Sequence, residues 1–151
     1  MRETENKIVI YTDGGARGNP GPAAIGVVMQ DAAGHTIKSW GKAIGTATNN
    51  EAEYQAVVSA LQKAKAMLGG KKARATTVEM RMDSQLVVQQ LNGKYKIEHE
   101  PLFPFFIKIG NLKMDFASVS FAHVPREKNR GADAQVNAAL DNAMTQSSLA
   151  I

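Results

Sequence analysis

Two short apolar stretches in this chain end on aspartate, and each runs straight into a change of structure. Ile8-Val9-Ile10-Tyr11-Thr12-Asp13 delivers its acid into the glycine-rich turn Gly14-Gly15-Ala16-Arg17-Gly18-Asn19-Pro20-Gly21-Pro22. Val78-Glu79-Met80-Arg81-Met82-Asp83 delivers a second into a segment that begins like a helix. Short apolar runs with turn formers behind them predict a β-strand in each case. One aspartate after a strand is an ordinary turn former. Two of them, ending parallel neighbouring strands, stand side by side, and like charges so placed need a neutralising partner.

The other elements permit that placement. Residues 24–29 and 36–44, joined through Asp31-Ala32-Ala33-Gly34, read as a hairpin pairing antiparallel with the first strand. Thr48-Asn49-Asn50-Glu51 has the form of a capping box, with Thr48 as N-cap and Glu51 at the third helical position. The amphipathic helix that follows, to about Leu68, carries Tyr54, Val57, Val58, Leu61, Ala64 and Leu68 as its apolar stripe. Glu53 lies one turn before Val57 on the buried side, whereas Glu51 shares the wet side with Gln55, Ser59 and Gln62. A core-facing glutamate needs a partner.

Residues 69–74 read as a solvated basic loop. The second aspartate-ending strand then leads to a short helix over 84–92 stopped by Gly93. Residues 94–104 look irregular, a helix is expected over about 102–113, a strand over 117–123, and a last helix over about 129–144. On that helix Asp133 precedes Val136 by three and Leu140 by seven, and so faces inward. Trp40, Phe103, Phe105, Phe106 and Phe121 read as core residues.

The expected fold is α/β: a mixed five-stranded sheet, its first three strands antiparallel and strands one, four and five parallel, with helices on both faces. Right-handed crossovers put strands one and four side by side, and the ligand crevice of such sheets lies beyond the carboxyl ends of the parallel strands. One domain is expected over residues 7–144, with an N-terminal extension over 1–6 and a flexible tail over 145–151.

Composition narrows the chemistry. The chain has no cysteine, which excludes disulfides, a thiol nucleophile and a thiolate zinc site, and leaves His35, His99 and His123 as its only soft ligands. A metal here is expected to be oxygen-bound. No apolar run is long enough to span a bilayer and the charged N-terminus has no apolar segment behind it, so the expected location is cytoplasmic, away from membranes. The net charge of +4 leans weakly toward a polyanionic partner. No Gly-Lys-Ser/Thr and no Gly-x-Gly-x-x-Gly occurs, so the glycine-rich turn is not a nucleotide loop. The candidate constellation is therefore Asp13, Glu53, Asp83 and Asp133, four carboxylates from four elements that hard divalent cations would neutralise.

Four fragments in order, Tyr11-Thr12-Asp13-Gly14-Gly15, Asn49-Asn50-Glu51-Ala52-Glu53, Met82-Asp83-Ser84-Gln85 and the run from His123 through Asn129 to Asp133, resemble the ribonuclease H type 1 family over about residues 7–144. The resemblance implies the ribonuclease H fold and endonucleolytic hydrolysis of the RNA strand of an RNA–DNA hybrid, leaving 5′-phosphate and 3′-hydroxyl ends. It implies Asp13, Glu53, Asp83 and Asp133 as ligands of two Mg²⁺ ions in the presence of substrate, with Mn²⁺ as a substitute, and His123 as an aid to proton transfer or product release. Substrate contacts are expected from Gly14, Gly15, Asn19, Asn49, Asn50, Ser84, Gln85 and Asn129, and phosphate contacts from Arg17, Lys94, Lys96, Arg126, Lys128 and Arg130. The basic, tryptophan-bearing handle of some relatives is absent, since Gly93-Lys94-Tyr95-Lys96-Ile97-Glu98-His99-Glu100-Pro101 is short and has no tryptophan. A monomer without a small-molecule cofactor is expected. The alternatives are a nuclease of the same fold that also cuts double-stranded RNA, and a non-catalytic nucleic-acid-binding module.

Overall fold

The computed structural model describes residues 6–149, with side chains as far as residue 146. Its centre is a five-stranded sheet in the order β3-β2-β1-β4-β5. Strands β1 (Lys7–Ala16), β2 (Gly21–Asp31) and β3 (Thr36–Ala47) pair antiparallel, while β4 (Thr77–Met82) runs parallel to β1, and β5 (Ser118–His123) parallel to β4. Among the described residues five α-helices accompany the sheet: α1 (Asn49–Leu68), α2 (Gly70–Arg74), α3 (Gln85–Leu91), α4 (Phe103–Lys113) and α5 (Arg130–Leu149). None of the described helices is long and apolar enough to cross a membrane.

Local chemistry sets the boundaries. The β2–β3 hairpin turns on Asp31, whose Oδ1 accepts the N–H groups of Ala33 and His35, both at 2.9 Å. Thr48 and Glu51 close both halves of the capping box at the start of α1: the Thr48 side chain accepts from the Glu51 N–H at 3.1 Å, and the Glu51 side chain from the Thr48 N–H at 2.8 Å. Glu51 is thereby committed to structure.

The main core lies between the sheet and α1, where Ile8, Ile10, Val27 and Met80 meet Tyr54, Val57 and Leu61. Each such side chain contributes about 1.5–3 kcal/mol when fully buried. A smaller apolar layer, Ala24 with Val136 and Leu140, seats α5 on the other side. Two glycines permit the close approach of these helices. A Cβ on Gly14 would collide with the backbone of Ala52 and Glu53 in α1, and one on Gly26 would collide with the Ala132 carbonyl in α5. Gly26 is the register partner of Asp13. Helix α5 therefore crosses the sheet directly over the strand position beside the first aspartate.

Three local expectations need correction. Residues 70–74 are helical, because Ala73 is fully buried and anchors the segment while Lys71, Lys72 and Arg74 stay in water. The last helix runs past Met144 to Leu149: the Thr145 hydroxyl donates to the Asp141 carbonyl at 3.0 Å, and Arg17 ties Asp141 to the β1–β2 turn with an ion pair of 2.8 Å. The helix thus enters the stretch expected as a tail over 145–151, of which residues 150–151 lie outside the described part, as do residues 1–5 of the expected extension. Phe121 is buried and Trp40 and Phe105 pack against the core, but Phe103 and Phe106 are 42% and 40% exposed. Helix α4 has room for only one of its faces inside, and Phe105 and Ile109 occupy it.

Candidate active site

The carboxyl ends of β1 and β4 carry Asp13 and Asp83 to the same edge, and the first turns of α1 and α5 bring Glu53 and Asp133. Carboxylate oxygens of Asp13, Glu53 and Asp83 lie within 4.8 Å of one another. Asp133 stands outside that tight group but lines the same cleft, of about 360 Å³, on the Asp13 side. Its own carboxylate is held by Asn137, one helical turn on, whose Nδ2 lies 3.4 Å from Oδ2.

One backbone group organises the centre. The Gly14 N–H reaches Glu53 Oε1 at 2.5 Å and Asp13 Oδ1 at 3.0 Å. Glu53 is 6% exposed, and its other oxygen, Oε2, is buried with no hydrogen-bond partner. Burial, which takes it out of water, and then the repulsion of Asp83 and Asp133 push the Asp13 carboxyl up to about 6, against the pull of Glu53. Burial first, then the charge of Asp13, drives Glu53 well above the usual carboxylate range, while the Gly14 N–H works the other way. Oxygen-only donors, a buried oxygen with no partner and carboxyls whose charge the protein leaves uncompensated fit a hard divalent cation such as Mg²⁺ or Mn²⁺.

Around this centre the other named residues sort by position. Gly14, Gly15, Arg17, Asn49, Asn50, Ser84 and Arg126 line the cleft with the carboxylates. Asn49 is also a brace, its N–H donating to Asn19 Oδ1 at 3.0 Å and its Oδ1 accepting the Ala16 N–H at 2.8 Å, so the glycine-rich turn is fixed to α1. The Ser84 hydroxyl caps α3 by accepting the Val87 N–H. Arg17 points to α5, paired with Asp141. Gln85 and Lys94 are exposed on either end of α3, outside the lining of the cleft, as are Lys96, Lys128 and Arg130. His123 ends β5, exposed, opposite Met82 and one residue from Asp83 along the sheet edge.

Asn129 departs most from expectation. It is 1% exposed, its Nδ2 donates to the Thr12 carbonyl at 2.9 Å, and its own carbonyl accepts the Asp133 N–H at 3.1 Å. A side chain so enclosed braces the start of α5 against the strand residue before Asp13 and is closed to direct substrate contact. Gly26 and Asn137 were not anticipated at all. A glycine in the middle of a strand was the available signal for the first, and nothing in the sequence marks the second.

Cavity size does not locate this chemistry. A larger cavity of about 540 Å³ opens at the other end of the sheet, but Ile8, Met29, Ile37 and Met67 dominate it and Asp31 is its one carboxylate.

Comparison with known proteins agrees with the geometry. The family described as reverse transcriptase-like matches residues 11–139. The bifunctional protein Rv2228c of Mycobacterium tuberculosis is 41% identical over 138 residues, which cover 91% of this chain and 36% of that protein, so the chain spans about a third of the length of that relative. Ribonuclease HI of Halobacterium salinarum is 42% identical over 137 residues, 91% of this chain and 66% of its own length. Among solved structures, LC11-RNase H1, isolated from compost by a metagenomic approach, is 49% identical with a TM-score of 0.86 over 92% of this chain and 99% of its own. Its crystal structure in complex with RNA/DNA hybrid matches at 48% identity and the same TM-score of 0.86, over 91% and 99% of the two chains. With sheet order, carboxylate cluster and near-complete overlap in agreement, the chain belongs to the ribonuclease H type 1 family.

Proposed function

We propose that the protein is an endoribonuclease that hydrolyses the RNA strand of RNA–DNA hybrids with two divalent metal ions, Mg²⁺ by preference and Mn²⁺ as a substitute, leaving 5′-phosphate and 3′-hydroxyl ends. The observation that carries the reading is the convergence of Asp13, Glu53 and Asp83 oxygens within 4.8 Å at the floor of an open cleft, with Asp133 beside them. A binding module derived from the same fold has no need of such a cluster, since uncompensated carboxylates repel a polyanion. That LC11-RNase H1 is known in complex with RNA/DNA hybrid supports the choice of substrate.

The residues divide the work. Asp13, Glu53, Asp83 and Asp133 would hold the ions, which when bound offset the charge of the reacting phosphate and favour deprotonation of the attacking water. The Gly14 N–H holds Glu53 by Oε1 and leaves the buried Oε2 without a partner, as a ligand for a cation. Asn50 and the free amide hydrogens of Asn49, with the Gly14 and Gly15 backbone, offer close-approaching donors and acceptors for a 2′-hydroxyl, the group that marks RNA. Arg126 supplies a cation at the rim for phosphate, and Arg17 does so when it leaves Asp141. Water adds to phosphorus, the bond to the 3′ oxygen breaks, and that oxygen takes up a proton. His123, exposed at the same sheet edge, is placed to assist this last transfer, so His123→Ala slows turnover by about tenfold or more without ending it.

The protein is further taken to act as a cytoplasmic monomer with no small-molecule cofactor, and sedimentation checks the monomer. The deciding test presents one labelled RNA strand alone, in an RNA duplex and in an RNA–DNA hybrid, with Mg²⁺, with Mn²⁺ or with chelator, beside the Asp83→Asn protein. Hybrid-only, metal-dependent cutting that the variant loses is expected, with ends that ligate as 5′-phosphates. Cutting of the RNA duplex as well would widen the substrate class, and hybrid binding without any cutting would replace the enzyme by a binding module.

A further inference from the structure

Past the far end of α3 lies an apolar groove that the reaction does not use. Tyr95, Phe103, Phe106 and Ile107 are 51%, 42%, 40% and 62% exposed, and with Gly93 and Ile97 they line a space of about 320 Å³. The groove is held in shape from below. The Gln89 carbonyl accepts the N–H groups of Lys94 and Tyr95 at 2.9 and 3.2 Å, so the chain turns back on α3. Gln90, 7% exposed, accepts the Tyr54 hydroxyl at 2.7 Å on Oε1 and donates from Nε2 to the Lys96 carbonyl at 3.5 Å. A buried polar bridge from α1 thus fixes the backbone on both sides of Tyr95. Aromatic rings presented to water on a backbone fixed in advance form a binding surface that loses little entropy when occupied.

We propose that this groove takes unstacked bases of a single strand that continues from the hybrid held in the cleft; the inference rests on the ribonuclease reading above. Helix α3 joins the two places. Ser84, its N-cap, lines the cleft, and Gly93, two residues past its end, lines the groove. The seven residues of α3 at about 1.5 Å each span about 10 Å, or about three steps of a nucleic-acid strand. Bases inside a duplex are covered by their neighbours, so exposed ring faces are matched by bases that have left the stack. Charge makes a small contribution here, since Lys94 and Lys96 share their loop with Glu98 and Glu100. A protein partner is the weaker fit: seven residues line the groove, against the roughly twenty a side that a stable protein interface takes.

The test measures binding to the Asp83→Asn protein with Mg²⁺ present, so that nothing is cut. The probes are one RNA–DNA hybrid with blunt ends and the same hybrid with a short single-stranded extension on each of its four strand ends in turn. At least one extension should tighten binding about fivefold or more. Tyr95→Leu with Phe103→Leu should remove that gain while leaving blunt-hybrid affinity and Tm unchanged, and Tyr95→Phe should keep it. Blunt-hybrid affinity should fall steeply with salt and the gain from the extension hardly at all, because stacking releases no counterions. No gain from any extension, or a gain that survives loss of the rings, overturns the inference, and the first of these outcomes would hand the groove to a protein partner. Cutting of the blunt hybrid by the unmodified protein reads the ribonuclease function separately. If that hybrid is cut and extensions add nothing, only the groove assignment falls; if it is neither cut nor bound, both fall.

Discussion

Strands β1 and β4 carry charge in two places and treat it in opposite ways. Along their shared face Glu79 is paired with Lys7 at 3.2 Å and with Arg81 at 2.5 Å, and Arg81 also donates to the Tyr11 hydroxyl at 2.6 Å and lies over its ring. At their carboxyl ends Asp13 and Asp83 meet Glu53 with no cationic side chain in the group. The bond from Arg81 lowers the Glu79 carboxyl, whereas burial raises Asp13 and Glu53. The same pair of strands can therefore neutralise a carboxylate within the protein, and at the cleft it does not. The difference teaches where the stability cost is placed: the protein pairs Glu79 with its own cations and leaves the acids of the cleft without one, which is the arrangement the proposed cation sites require.

Removing an acid from the cleft breaks the contrast most completely. Asp13→Asn should lower hydrolysis of the hybrid by a factor of about 10³ or more, because an anionic ligand of the proposed cations is replaced by a neutral amide. The same change relieves repulsion in the metal-free protein. Its Tm should rise by a few degrees, in line with about 1 kcal/mol for a domain of this size. Mg²⁺ should raise the Tm of the unmodified protein and leave the variant nearly unaffected. A variant that still turns over, or that melts lower without metal, would remove the assignment of Asp13.

Gly26→Ala attacks the placement of the site instead of its charge. The new methyl must displace the Ala132 carbonyl, so α5 moves off β2 and takes Asp133 away from Asp13. Overpacking of this kind costs about 1–3 kcal/mol. Activity should fall by about a hundredfold, the loss expected for a catalytic group displaced by an ångström. Unlike Asp13→Asn, this variant should lose both activity and Tm, which calorimetry and a cleavage assay on one preparation would show.

That pair of variants also marks what the sequence could tell and what it could not. Asp13, Asp83, Glu53 and the helix that carries Glu53 are written in local patterns: an apolar run ending in an acid, a capping box, a stripe with Glu53 on one side and Glu51 on the other. The parallel pairing of β1 with β4 followed from crossover hand. The roles of Gly26 and Asn129 depend on where α5 crosses β2 and β1, a contact more than a hundred residues apart in the chain for Asn129 and Thr12. Ala73, Phe103 and Phe106 failed for a related reason. Which side of a helix faces the core is decided by the neighbour that fills the remaining space: the five residues of α2 carry almost no phase, and in α4 the inward face is taken by Phe105 and Ile109.

The opposite shifts give opposite pH dependences, which sharpen the comparison without touching activity. A carboxyl raised in the folded state stabilises it below its unfolded value and loses that contribution as pH rises through the folded one. For Asp13 the window runs from 3.8 to about 6, and Glu53 acts in the same sense. Glu79 is lowered, so its contribution is present above 4.5 and disappears as pH falls through its folded value. In chelator the metal-free protein should thus lose stability between pH 4 and pH 6.5, a trend that Asp13→Asn flattens and that saturating Mg²⁺ abolishes. Stability that instead climbs steadily over this range in chelator would mean that the cleft carboxyls are not held above their unfolded values.

The smallest effect belongs to the paired side. Glu79→Gln removes the partner of Lys7 and Arg81, yet the glutamate side chain is 24% exposed and Lys7 39%, so water replaces much of what is lost. A partly exposed ion pair contributes about 0–1 kcal/mol. Arg81 also keeps its bond to the Tyr11 hydroxyl, so the β1–β4 contact is held by a second link after the carboxylate is gone. The expected outcome is a Tm lowered by about 1–3 °C at low salt, less at high salt, with hybrid cleavage unchanged. If Glu79→Gln instead depressed cleavage as strongly as it depressed Tm, the two charge clusters would be coupled through Arg81 and β4, and the division between a neutralised face and an uncompensated edge would have to give way to one continuous electrostatic network.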